Sequence, residues 1–197
     1  MYRTKKEFAG YMKALGDEYY DGYQRIVKES VKDYISRLQP GAKIPENRIY
    51  GKAFEDQMFA RATSVRNKAA EAIADYRKQI QAKMSYAPSE EALRAVQMFA
   101  FRDPKKSTKE AFEADVEALV SKHGDNYMAY QAIKDKASER EIYLDEHPLA
   151  GEIEALDHLS RSVERTFSAY NAVSQGLDHL PISIYKMAID HDFGENE

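Results

Sequence analysis

The 197 residues carry 29 Lys/Arg against 33 Asp/Glu, a net charge of −4, with 43% apolar and 31% charged residues and no cysteine. That balance suits amphipathic helices, and the missing cysteine excludes disulfide frameworks, thiolate metal sites and cysteine nucleophiles together. No apolar run approaches the roughly 18 to 20 residues of a membrane span, and MYRTKKEF runs into charged helical sequence without the apolar core of a secretion signal, so a cytoplasmic protein is expected.

Thr4 and Glu7 have capping-box spacing and predict a helix over residues 4 to 38, with Phe8, Met12, Leu15, Tyr19, Tyr23, Ile26, Tyr34 and Leu38 in one stripe. Gly16 and Gly22 should weaken it locally. QPGAKIPENRIYG, residues 39 to 51, breaks the pattern with two prolines and two glycines and reads as a loop. The stripe returns from Lys52 to about Met84 as Phe54, Met58, Ala62, Val65, Ala69, Ile73, Tyr76, Ile80 and Met84, close to a coiled-coil repeat. Two long helices joined by a loop predict an antiparallel hairpin over residues 1 to 86.

Pro88, Glu90 and Glu91 open a short helix that ends at RDPKKS. Its residues Leu93, Val96, Met98, Phe99 and Phe101 cannot all face one side. The expectation is a helix covered on two sides, with Val96, Met98, Phe99 and Phe101 as the candidate interface. Ser107 and Glu110 predict a second capping box before a helix carrying Phe112, Val116, Leu119 and Val120, closed by Gly124. Asn126 starts another, with Tyr127, Tyr130 and Ile133 inward. Pro148 precedes an amphipathic helix from about Leu149 to Gln175, ended by Gly176, and Pro181 opens a last short helix with Ile184, Tyr185 and Ala188. No segment alternates with period two. The fold class is therefore all-α: a long antiparallel helical hairpin, residues 1 to 86, packed with a compact lobe of shorter helices, residues 87 to 197.

The charge is uneven. Residues 1 to 86 hold 17 Lys/Arg against 11 Asp/Glu, and residues 87 to 197 hold 12 against 22. Opposite halves suit self-association or docking to a charged partner.

The stretch YAPSEEALRAVQMFAFRDPKKSTKEAFEADVEALVSKHGDNYMAYQAIKDKA resembles a segment of small helical proteins encoded near the capsid genes of tailed phages of Gram-positive bacteria. The shared pattern is an Ala-Pro start (Ala87, Pro88), a short helix ending in Met98 and Arg102, a polar turn, an amphipathic helix and an Asn126-led helix. It covers about a quarter of the chain. The resemblance implies a role in virion assembly or as a phage accessory, with no catalytic residues to carry over.

The chemistry in the residues is sparse. Asp157-His158, Asp178-His179 and Asp190-His191-Asp192 pair carboxylates with imidazoles, but helix neighbours point about 100° apart and do not converge on one ion. Glu-x-x-His and His-Glu-x-x-His are absent, as are phosphate loops and nucleophile elbows. The expectation is a protein that is not an enzyme, with no metal or cofactor. Arg61, Arg66, Lys68, Arg77, Lys78 and Lys83 form a candidate basic face on the second helix, and 14 tyrosines offer rings for stacking on bases, although Glu71 and Asp75 interrupt the cations. The expected partner is a protein, either a second copy in a homo-oligomer or a phage or host protein. The runners-up are an inhibitor presenting an acidic surface to a host defence protein, and a nucleic-acid binder using the basic half.

Overall fold

The computed structural model describes residues 2, 4–38, 51–103, 106–168 and 180–194. Among them are seven helices and no strand: α1 (Lys5–Ser36), α2 (Lys52–Met84), α3 (Glu90–Ala100), α4 (Lys109–His123), α5 (Tyr127–Ser138), α6 (Pro148–Thr166) and α7 (Leu180–Phe193). The fold is all-α. The expected loop over 39 to 50 lies outside the described residues, and the helix expected to run from about Leu149 to Gln175 ends at Thr166, with residues 167 and 168 no longer helical.

The Thr4 side chain accepts a hydrogen bond from the Glu7 N–H at 3.1 Å, which satisfies one of the free donors of the first turn of α1. α1 and α2 run antiparallel. Phe8 stacks on Tyr76 with ring centroids 4.4 Å apart, Glu18 pairs with Lys68 at 2.8 Å, and Arg61 donates to the Tyr19 carbonyl at 3.3 Å and to that of Glu18. Phe54, Met58, Ala62, Val65, Ala69, Ile73, Tyr76 and Ile80 of α2 are all buried, so the stripe read from the sequence is the core face.

The chain forms two units, Met1–Tyr76 with Ala155–Glu197, and Arg77–Glu154. This division differs from the break expected at 86/87: the first boundary falls inside α2, and α7 belongs to the unit that holds α1. Tyr185 is fully buried, and its hydroxyl donates to the Met12 carbonyl at 2.9 Å. Phe193 meets Phe8 edge-on at 5.2 Å, and Phe167 bridges Tyr19 and Tyr185 at 5.1 and 5.3 Å. Ile182, Tyr185 and Ile189 make the inner face of α7, whereas Ile184 is 50% exposed.

The two glycines of α1 are points of close approach. A Cβ on Gly16 would stand 3.2 Å from the Tyr185 ring, and one on Gly22 would fall inside the Arg61 guanidinium. Glycine admits both side chains against the helix backbone.

The second unit is built around Val96, Phe99, Phe112, Val116, Ala129, Ile133, Ala137 and Ile142, contributed by α3, α4, α5 and the segment after α5. The cap of α4 is Thr108, accepting from the Ala111 N–H at 3.2 Å, rather than Ser107; Thr108 has the extended backbone that a cap requires. The cap of α3 is Ser89, which leaves Pro88 just outside the helix. Asn126 caps α5 through its carbonyl oxygen while its amide donates to the Tyr86 carbonyl at 2.9 Å, so one side chain ties two turns together. α5 ends with the Ile142 N–H on the Ala137 carbonyl at 3.2 Å and Glu141 at φ 58°, a Schellman closure with a residue other than glycine in the left-handed position.

Candidate functional site

α3 carries two apolar arcs. At about 100° per residue, Ala92, Val96 and Phe99 fall within roughly 60° of one another, and all three are buried. Phe99 stacks on Phe112 at 5.1 Å. Met98 and Phe101 lie roughly 60° apart on another side of the helix and are 77% and 90% exposed; Leu93, further round, is 45% exposed. Of the four candidate interface residues, the structure thus places Val96 and Phe99 in the core and Met98 and Phe101 on the surface.

Beside Met98 an open groove of about 520 Å³ runs between α3 and α4. Ala95, Met98 and Phe99 line it from α3, and Ala118 and Leu119 line it from α4. Phe101 does not line it. Two ion pairs brace the helices: Arg102, just past the C-cap of α3, with Asp115 of α4, and Lys122 of α4 with Glu91 of α3 at 2.6 Å. The hydrogen bond from Lys122 and its charge hold the Glu91 carboxyl below its ordinary range. The pairs have opposite sense, with the cation on α3 at one end and on α4 at the other.

The six cations of α2 do not share one side. On a helical wheel Arg61, Lys68 and Lys83 fall within roughly 60°, Arg66 and Arg77 point to nearly the opposite side, and Lys78 lies apart. Arg61 and Lys68 are engaged with α1, and Arg66 approaches Glu164 at 3.7 Å. Tyr19 and Tyr76, two of the rings considered for stacking on bases, are buried. Among the described residues no group of three His, Asp or Glu side chains stands where it could hold a metal ion. His191 Nδ1 lies 2.7 Å from the carboxylate of its neighbour Asp192, and its side chain is 88% exposed.

His147 was not singled out from the sequence. It is buried, its Nδ1 accepts the Leu149 N–H at 3.1 Å, and its Nε2 lies 3.1 Å from the Gly124 carbonyl. Because Nδ1 is the acceptor, Nε2 carries the proton and donates it. Tyr127 and Tyr130 meet the ring edge-on at 5.3 and 5.2 Å. The imidazole is thus the N-cap of α6, with Pro148 in the first helical position. The signal available was the residue before that proline, but histidine is not among the usual capping types.

No helix among the described residues is long and apolar enough to cross a membrane. No family model, curated protein or solved structure matches the chain.

Proposed function

We propose that the chain is a non-enzymatic helical interaction protein acting in the assembly of a tailed-phage virion, with α3 and the adjoining groove as its docking face. The observation that carries the reading is the pair of apolar arcs on α3. One arc completes the core of its own unit; the other presents Met98 of this 11-residue helix, and Phe101 at its C-cap, to solvent. Large exposed apolar side chains beside a groove rimmed by charges have the composition of a protein interface rather than of a solvated helix. The resemblance of residues 86 to 137 to proteins encoded beside capsid genes supports a virion protein as the partner, and α3 lies inside that stretch.

The test is capture from phage-infected cells with the wild-type chain and with the double variant Met98→Glu/Phe101→Glu, both confirmed to be folded by circular dichroism. A capsid or portal protein retained by the wild type and reduced at least roughly tenfold on the variant supports the reading. Equal retention by both, or no virion protein on either, rejects it.

A further inference from the structure

The α3–α4 face has the features of a self-complementary surface, and we propose that it docks a second copy of this chain, α3 against α3, across a two-fold axis. The inference rests on the reading of this face as a docking surface and names its occupant.

A two-fold interface sets the same patch against itself, so a patch that fits itself must offer both a projection and a recess, and both signs of charge. This one does. Phe101 projects at the C-terminal end of α3, 90% exposed and outside its own groove. The recess is the groove between α3 and α4, lined on its apolar side by Ala95, Met98, Phe99 and Leu119. With the two α3 helices antiparallel and crossing near Met98, Phe101 of one lies over Ala95, at the middle of α3, of the other, so each ring enters the groove of the opposite copy.

The charges agree with the same geometry. Arg102 stands at the C-terminal end of α3 and Glu91 near its N-terminal end, each already paired across the groove with α4. In that register Arg102 of one copy stands about one helical turn from Glu91 of the other, within reach of the two long side chains, and the opposite sense of the two ion pairs sets Asp115 towards Lys122 in the same way. A parallel crossing would oppose like charges. The four rim charges cancel, within a unit whose residues 77 to 154 hold 12 Lys/Arg against 15 Asp/Glu. A balanced rim is suited to a copy of itself rather than to a strongly charged ligand.

The cysteine-free chain gives a clean experiment. Full-length Phe101→Cys and Ala95→Cys variants, distinguishable by mass, are mixed in a glutathione redox buffer, with Tyr143→Cys, 84% exposed on another segment of the unit, as the control. The expected product is the mixed Phe101→Cys/Ala95→Cys disulfide, in excess of either homodimer and of any pairing with the control. In parallel, light scattering of the unmodified chain should show a concentration-dependent dimer, and Phe101→Glu should weaken it at least roughly tenfold with no loss of helicity. A chain that stays monomeric, or disulfides formed without preference among the three positions, overturns the proposal. If the chain is monomeric while Met98→Glu/Phe101→Glu still abolishes capture of a virion protein, self-docking fails and the docking face stands with a different occupant. If neither assay responds to the substitutions, both fail.

Discussion

Replacing His147 with alanine removes a helix cap, a buried hydrogen bond and two ring contacts at once. The cap on the Leu149 N–H contributes about 1 kcal/mol. Taking the donor from the Gly124 carbonyl costs about 1 kcal/mol or more. The edge contacts with Tyr127 and Tyr130 add about 1 kcal/mol together. The sum is about 3 kcal/mol, which lowers the melting temperature by roughly 6 to 12 °C if a chain of this size unfolds as one transition. His147→Asn keeps a capping side chain and loses the rest, so it should recover about 1 kcal/mol of the deficit. Thermal unfolding followed by circular dichroism at 222 nm reads both variants. A His147→Ala protein within about 0.5 kcal/mol of the wild type, or an asparagine variant no better than alanine, would refute the assignment of His147 as cap and cross-tie.

Glu141→Gly should stabilise the protein by about 1 kcal/mol, because glycine occupies the left-handed position at φ 58° without the steric penalty of a Cβ; a higher chemical-denaturation midpoint is the readout. Gly10→Ala and Gly16→Ala should have opposite signs in the same assay. Nothing lies within 4 Å of a Cβ at Gly10, so alanine gains up to about 1 kcal/mol of helix propensity there, whereas at Gly16 it presses on a buried ring 3.2 Å away and costs about 1 kcal/mol net. Burial raises the Tyr185 hydroxyl well above the ordinary tyrosine range and that of Tyr19 to about 12. The unfolded chain then loses these protons near pH 10 while the folded chain keeps them, so stability falls as pH rises above 10. Each tyrosine contributes about 1.4 kcal/mol per pH unit to that fall, and for Tyr19 the loss levels off near pH 12. Denaturant titrations between pH 9 and 11 should show a shallower slope for Tyr19→Phe/Tyr185→Phe than for the wild type.

Periodicity revealed the helices because burial of a stripe is a property of each helix alone. The α2 core positions and the caps at Thr4 and Asn126 were legible for that reason. Which stripe meets which is a property of the whole chain, and so the packing of α7 on α1 through Tyr185 and Phe193 was not. Gly16 and Gly22 read as weak points in a helix; the side chains that need their missing Cβ atoms are 169 and 39 residues away in sequence. α3 shows the same limit at the candidate site. Its sequence states that apolar residues occupy more than one side, but only the positions of Phe112, Val116 and Ile133 decide that Val96 and Phe99 turn inward while Met98 and Phe101 remain outside. The basic residues of α2 were legible as composition, and a wheel already separates Arg66 and Arg77 from Arg61 and Lys68.

The central claim, an assembly protein that docks through α3, is tested most directly by sedimentation of lysates from phage-infected cells carrying tagged wild-type or Met98→Glu/Phe101→Glu chains. The account predicts that the wild-type chain travels with capsid-containing particles and that the folded double variant stays at the top of the gradient. A wild-type chain that remains at the top with the free proteins, or a variant that sediments with the particles as the wild type does, would contradict it.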